Sequence, residues 1–330
     1  MYYNELRSPA VVQTGRDILK NIDWILKDAH LYFSNKILIT QQILFDEYKE
    51  QLNVNEFSEI IFIRGGETAE AVEVAGKLSG LDAILLGFGG GSVIDVVKYC
   101  ATKCDIPFIT IPTTLSNDSL CSSIARLTFN GRKRSYPAQG PLGILIDFGV
   151  VRHAPKKLTL AGVADVVSNL SAVKDWQLSN KNTGEPINEL SLMLAKAAPA
   201  PLFKYKEKDL DSDEFLHDLA TGLILSGMSM MMTGNSRGAS GSEHLISHAI
   251  DEYFPDRSTI HGLQVGWAHL MVEKLCRKDN DSYKTLKKFF DNIGLLDILE
   301  DNVKWKEDEF MGLVPYAKTI RKRYTILDTL

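Results

Sequence analysis

The chain has 330 residues, 45% of them hydrophobic and 24% charged, and 37 Lys and Arg against 42 Asp and Glu leave a formal net charge of -5. That composition excludes a disordered chain or a coiled coil, and the length predicts two domains, each able to bury a core without staples. The acidic balance offers no field for polyphosphate, so neither nucleic acid nor membrane insertion is expected.

Glu5, Arg7, Arg16, Asp17, Lys20, Asp23 and Lys27 break up the first thirty residues, so no targeting or membrane-spanning segment is expected there. Five short apolar runs follow, at Lys36-Thr40, Glu59-Arg64, Ala83-Gly87, Pro107-Ile111 and Gly143-Asp147, alternating with helical patterns. This alternation predicts a Rossmann-like α/β domain with a parallel sheet and crossover helices. Before the last run, Ile124-Phe129 and Arg132-Tyr136 flank Asn130-Gly131, a dipeptide that tolerates the positive φ of a tight turn, which predicts a β-hairpin. A basic cluster, Arg132-Lys133-Arg134, falls at this turn. Beyond about residue 150 the strand signals fade, and helical patterns cover Leu160-Ser179, Glu189-Ala197, Phe215-Thr233, Ser242-Asp251 and Leu263-Cys276. The expected organisation is a nucleotide-binding α/β domain over 1–149 and an all-helical metal- and substrate-binding domain over 150–330, with a cleft between them. The four cysteines, Cys100, Cys104, Cys121 and Cys276, are too sparse for a disulfide framework, and a reducing cytoplasm is expected.

The run Ala83-Gly87 leads through Gly87-Phe88-Gly89-Gly90-Gly91-Ser92 into a helix over Val93-Ala101 that carries Asp95 in its first turn. Glycine lets the main chain approach a ligand, and a helix N-terminus presents unpaired N–H groups that suit a pyrophosphate. A glycine-rich turn between strand and helix also occurs without any ligand, and the spacing is not the usual dinucleotide fingerprint. A second loop, Ile111-Pro112-Thr113-Thr114-Leu115-Ser116-Asn117-Asp118, then Ser122, follows the next strand, and adjacent strands would bring both loops to one sheet edge.

In Ser242-Glu243-His244-Leu245-Ile246-Ser247-His248 two imidazoles stand at i and i+4, on one helix face. His261-Gly262 follows, and Asp165 opens an apolar helical stretch upstream. One Asp and two His would leave a divalent ion an open position, as catalytic sites require. A His pair at this spacing without the metalloprotease glutamate is commonly structural, and a lone Asp is commonly a cap. Cys100 and Cys104 share a helix face but lack a second pair, and read as core.

Together, Gly89-Gly90-Gly91-Ser92-Val93-Ile94-Asp95-Val96-Val97-Lys98, Ile111-Pro112-Thr113-Thr114 with Ser116 and Asp118, Gly162 and Asp165, Gly241-Ser242-Glu243-His244, and His261-Gly262 resemble the superfamily of iron-containing alcohol dehydrogenases, glycerol dehydrogenases and dehydroquinate synthases. Within it, Gly162-Val163-Ala164-Asp165-Val166-Val167-Ser168-Asn169, Val173-Lys174-Asp175-Trp176 and Asn235-Ser236-Arg237 look most like the sn-glycerol-1-phosphate dehydrogenases. The resemblance covers nearly the whole chain, in order.

The resemblance implies a metal held by Asp165, His244 and His261. It implies NAD or NADP against Gly89, Gly90, Gly91, Ser92, Val93, Ile94, Asp95, Thr113, Thr114, Leu115, Ser116 and Ser122. Substrate contacts map onto Asp118, Asp165 and His248, with Asp118 orienting a hydroxyl and His248 relaying a proton. The implied reaction is reduction of dihydroxyacetone phosphate to sn-glycerol 1-phosphate. Arg237 is the expected phosphate reader, with Lys174 second, because a guanidinium fork matches phosphate oxygens. Zinc is the first expected ion, and nickel or iron would accept the same ligands. Arg64 and Glu67 point opposite ways on NADPH against NADH, which stays open. The expected partners are a small polyol phosphate or ketone and further copies of the chain. A glycerol dehydrogenase, a lyase of the dehydroquinate synthase type and a non-catalytic relative are the competing readings. The sequence departs from the superfamily at Asn117-Asp118-Ser119, where a His often precedes the Asp, and at Ala164-Asp165, where a Gly does.

Overall fold

All five apolar runs are strands of one sheet in the computed structural model, which describes residues 8–330; Glu5 and Arg7, counted above, lie outside the described residues. The strands are Val11–Gly15 (β1), Lys36–Thr40 (β2), Glu59–Phe62 (β3), Ile84–Gly89 (β4), Phe108–Pro112 (β5) and Gly143–Asp147 (β8), with Ile124–Phe129 (β6) and Arg132–Pro137 (β7) forming a separate antiparallel hairpin. The sheet runs in the order β1-β8-β5-β4-β2-β3, with every pair parallel. At the hairpin turn Asn130 and Gly131 both have positive φ, 51° and 74°, as the dipeptide predicts.

Alternate side chains of the inner strands feed two cores. Ile37, Ile39, Leu85 and Phe108 pack under the helices Thr68–Leu78 and Gly91–Cys104, while Leu38, Leu86, Ile109 and Leu145 pack against Ile22–Asp28 on the other face. Burial on both faces is why these strands read as unbroken apolar runs. β1 was not expected from the sequence: Val-Val-Gln-Thr-Gly is half exposed and pairs only with β8. Strand β4 also continues past the predicted Gly87 to Gly89, whose neighbour across the ladder is Pro112.

The chain divides into two compact units, one running to Leu115 and again over Ser119–Ala154, the other made of Ser116–Asp118 with Pro155–Leu330. The boundary expected after residue 149 falls inside the short helix Phe148–Val151. The second unit is helical among its described residues, built around the 28-residue helix Lys156–Thr183. Buried residues ring that helix, so it shows no single apolar stripe. The expected helix Leu263-Cys276 is α-helical over His261–Met271 and then widens to a π-helical turn over Val272–Arg277. Helix Asp213–Thr233 is long and apolar enough to cross a membrane by length and composition, yet it packs as a core helix, burying Phe215, Leu216, Leu219 and Leu223. The four cysteines are free thiols. Burial pushes Cys100 up to about 12 and Cys276 up to about 11, so both are inert, as small core residues should be.

Candidate functional site

Asp165 projects from the third turn of helix Lys156–Thr183, His244 from the first turn of Ser242–Tyr253, and His261 opens the next helix, His261–Met271. One close packing sets the last of these: a Cβ on Gly262 would lie 2.1 Å from the Ala161 carbonyl oxygen, so only glycine lets the two helices touch there. Asp165 Oδ1 then stands 3.5 Å from His244 Nε2 and 3.8 Å from His261 Nε2.

These separations suit a shared cation. Ligand atoms about 2.0–2.1 Å from a tetrahedral ion lie roughly 3.3 Å from one another. The decisive observation is Asp165 Oδ1, a buried carboxylate oxygen with no hydrogen-bond partner, while Oδ2 accepts the Asp118 backbone N–H at 3.1 Å. A buried acceptor without a donor costs about 1–3 kcal/mol, which an ion would offset. The residues therefore fit a divalent metal.

A surrounding layer aims the imidazoles. Glu243 Oε1 sits 2.9 Å from His244 Nδ1, and since a carboxylate only accepts, Nδ1 carries the proton and Nε2 faces Asp165. His261 Nδ1 is 3.2 Å from Ser247 Oγ, which leaves its Nε2 toward the same carboxylate. The Gly241 N–H donates to Glu243 Oε1 at 2.6 Å, and the Ser242 N–H donates to Asp175 Oδ2 at 2.6 Å, anchoring the start of the His244 helix. Arg277, carried by the π-helical turn, holds the other oxygen of Asp175 at 2.6 Å. Burial alone would lower the His244 pKa, but the negative charges of Asp165 and Glu243 beside it outweigh burial and push it up to about 9. Burial would raise Glu243, and the His244 bond outweighs it, holding the carboxyl at about 2. Without an ion, a proton on His244 takes the place of positive charge in the trio.

His248 adjoins the trio, its ring centroid 6.0 Å from that of His244 and 5.6 Å from that of His261, stacked on the latter at 11°. His248, Asp251 and His261 also lie close enough to share an ion. There, however, Asp251 Oδ1 already accepts from Ser258 and Gln264, at 2.5 and 3.1 Å, so the Asp165 trio is the better cation site. Asp118, in the segment Ser116–Asp118 that belongs to the helical unit, accepts the Ser226 hydroxyl at 3.0 Å. Sequence reasoning missed Asn169, one turn after Asp165: its Oδ1 lies 3.3 Å from Ser226 Oγ, and its Nδ2 is buried without a partner. It also missed Glu243 as the orienter of His244.

In the first unit the expected cradle is only partly made of side chains that face outward. Gly90 caps helix Gly91–Cys104 with no side-chain hydrogen bond, and since the Val93 N–H turns back to the Gly90 carbonyl at 3.0 Å, the N–H groups of Gly91 and Ser92 are the ones at the helix start that suit a ligand. Ser92 is exposed, the Thr113 N–H donates to the Gly89 carbonyl at 3.0 Å, and a Cβ on Gly90 would lie 3.8 Å from Thr114 Oγ1, so both loops meet here. Ser116 lies outside this unit, in the segment assigned to the helical one. By contrast, Val93, Ile94 and Leu115 are core side chains, and Asp95 and Ser122 are turned to the fully buried Lys98. Lys98 Nζ donates to Asp95 Oδ1 at 3.3 Å, Ser122 Oγ at 3.2 Å and the Ile124 carbonyl at 2.8 Å. These five side chains back the cradle rather than line it. Of the two residues weighed for cofactor choice, Arg64 and Glu67, both are exposed.

The phosphate assignments are corrected. The Arg237 fork grips Glu185 through Nε, at 2.7 Å, and Nη2, and donates to Ser179 Oγ at 3.1 Å and the Tyr324 carbonyl at 2.9 Å. Lys174 is held by Glu273, Ser282 and Asp279, at 2.9, 2.9 and 3.2 Å. Four of the five Arg237 N–H donors and all three of Lys174 are engaged in these contacts, so neither is free to read a substrate phosphate.

The profile of the family described as iron-containing alcohol dehydrogenase matches residues 19–155. The glycerol-1-phosphate dehydrogenase [NAD(P)+] of Sulfurisphaera tokodaii is 34% identical over 97% of this chain and 91% of its own length. The enzyme of the same name from Archaeoglobus fulgidus is 29% identical over 100% of this chain and 95% of its own. Among solved structures, glycerol dehydrogenase from Schizosaccharomyces pombe superposes with a TM-score of 0.78 at 19% identity, covering 99% of this chain and 86% of that one. Sulfoacetaldehyde reductase from Bifidobacterium kashiwanohense, solved with NAD+, gives 0.70 at 16% identity, covering 100% and 97%. The glycine turn, the Asp-His-His trio and a near full-length likeness agree: the chain belongs to the glycerol-1-phosphate dehydrogenase family of metal-dependent, NAD(P)-linked oxidoreductases, within the iron-containing alcohol dehydrogenases.

Proposed function

We propose that this chain catalyses the reversible reduction of dihydroxyacetone phosphate to sn-glycerol 1-phosphate with NADH or NADPH. The observation that carries the reading is Asp165 Oδ1, buried, without a donor and facing two imidazole nitrogens. Asp165, His244 and His261 would hold a divalent ion, with zinc the first choice and nickel or iron the others, and when bound it supplies Lewis-acid polarisation of a carbonyl. Gly89–Ser92 and Thr113–Thr114 would hold the reduced nicotinamide, which when bound would be the hydride donor.

The chain's own residues do the rest. Asp165 offsets part of the cation's charge, while the two neutral imidazoles leave the site net positive toward a developing oxyanion. As the carbonyl carbon gains hydride, its oxygen gains a proton, and His248 is the group placed to deliver it and be refilled from solution. Asp118, its backbone N–H on Asp165 and its carboxylate on Ser226, is fixed to accept a substrate hydroxyl. The Asn169 amide offers a donor beside it. A homo-oligomer in the cytoplasm remains the expected setting.

The test is a spectrophotometric assay with dihydroxyacetone phosphate and either reduced nicotinamide, with zinc or nickel added. Oxidation of the cofactor, with a lower KM for the phosphate ester than for dihydroxyacetone, is expected. A lower KM for dihydroxyacetone would move the reading to a glycerol dehydrogenase. No absorbance change with any ketone would sink the enzymatic reading.

A further inference from the structure

The choice between NADH and NADPH, open at the level of sequence, turns on the rim of the first unit beside the glycine turn. Parallel pairing sets the carboxyl ends of three strands side by side: Thr40 of β2 lies opposite both Phe88 of β4 and Phe62 of β3. The loops that leave these ends share one edge and touch. Gln41, after β2, donates its side-chain amide to the Arg64 carbonyl at 2.6 Å. After β3, a Cβ on Gly65 would stand 3.2 Å from Ser92 Oγ, in the turn that suits the pyrophosphate.

In a dinucleotide-binding sheet, an acid near the glycine turn accepts from the ribose 2′-hydroxyl and selects NAD, whereas an arginine nearby accommodates the 2′-phosphate of NADP. The acids on this rim are engaged or displaced. Thr40 is buried, its hydroxyl donating to the Phe88 carbonyl at 2.8 Å, and Gln41 carries no charge. The two oxygens of Glu70 accept the N–H groups of Arg64 and Gly65, at 2.8 and 2.7 Å. Glu67 stands beyond Gly65 and Gly66, both with φ of 91°, and its main chain bridges Thr128 of the hairpin.

The Arg64 guanidinium, by contrast, is open. Its side chain is 95% exposed, and it reaches Glu70 only through Nε, at 3.7 Å, with no side-chain hydrogen bond among the described residues. Glu73 also feels it, but Lys77 pairs with Glu73 at 2.9 Å. Because Glu70 pins the Arg64 main chain, the guanidinium is presented from a fixed base.

We propose that Arg64 determines cofactor specificity, and that the chain takes NADPH in preference to NADH by pairing this guanidinium with the adenosine 2′-phosphate. A guanidinium fork matches phosphate oxygens and gains from a dianion an attraction that a ribose hydroxyl does not offer. The inference rests on the nicotinamide-linked reading above and refines it.

The experiment is a fluorescence titration of NADPH, and separately of NADH, into full-length metal-loaded protein without ketone, so that binding is read apart from turnover. NADPH is expected to bind about tenfold or more tighter. Arg64→Ala should weaken NADPH about tenfold while moving NADH by less than about twofold, which shows that the cradle is intact, and Arg64→Lys should restore part of the difference. The advantage of NADPH should shrink as salt is added, because an exposed ion pair is screened. NADH bound as tightly as NADPH, an NADPH affinity unmoved in Arg64→Ala, or a preference that follows Glu67→Gln instead, overturns the inference and leaves the dehydrogenase reading standing. Tight NADPH binding with no oxidation by any ketone would do the reverse. Binding of neither cofactor would remove both.

Discussion

In the first unit the surface offered to a ligand is main chain: a helix capped by Gly90, with the nearby Val93, Ile94 and Asp95 turned into the core. In the second unit three side chains from three helices converge on one point, and each is held by a neighbour of its own. The difference teaches where substitution is felt. A backbone cradle tolerates exchange of the side chains around it, provided the turn keeps its shape. A site made of side-chain atoms fails with any one of them.

The largest expected effect is at His261. His261→Ala should lower turnover by about a thousandfold or more and release the metal, measured together by assay and by elemental analysis of the purified protein. Full activity with metal retained would break the contrast at its strongest point. His248→Ala should lose about 10²–10⁴ in kcat with the metal still bound, separating proton delivery from ligation. Glu243→Gln should weaken metal binding about 10–100-fold, read by competition with a chelator, since the amide holds His244 less firmly.

A pH series sharpens the same point. The His244 pKa is pushed up from its ordinary 6.5 to about 9 in the metal-free chain. Its contribution to folding is therefore full below about pH 6.5 and is lost as pH rises through about 9. Melting temperatures of chelated protein should fall across that window, and metal-loaded protein should not show this loss. The smallest effect is expected at the cradle: Ser92→Ala should change cofactor KM by less than about threefold, because main-chain N–H groups carry the anion. A larger change would show that the hydroxyl, not the backbone, holds the phosphate.

Much of the α/β unit was legible because burial on both sheet faces writes itself as uninterrupted apolar runs. β1 escaped because Val11–Gly15 sits at an edge, half exposed, with nothing in its own composition to mark it. The trio was legible only in part from spacing, since i and i+4 place His248 beside His244 but say nothing of which distant helix supplies Asp165. The same spacing applied to Asp165 would have found Asn169. Arg237 misled because a guanidinium fork fits a carboxylate as well as a phosphate, and the carboxylate it meets, Glu185, is 52 residues away. Asp95 and Ser122 misled for a related reason: their partner is Lys98, and nothing local announces that a lysine is fully buried.

Gly262 carries a last consequence. With the Ala161 carbonyl 2.1 Å from where its Cβ would stand, the gap between two coordinating arms is gauged by bare peptide resting on bare peptide. Such a stop has no adjustable part. Even a methyl group at that position would act as a shim, spreading His261 from Asp165 while every donor atom stayed chemically intact, and the protein would lose its grip on the ion through a change that touches no ligand.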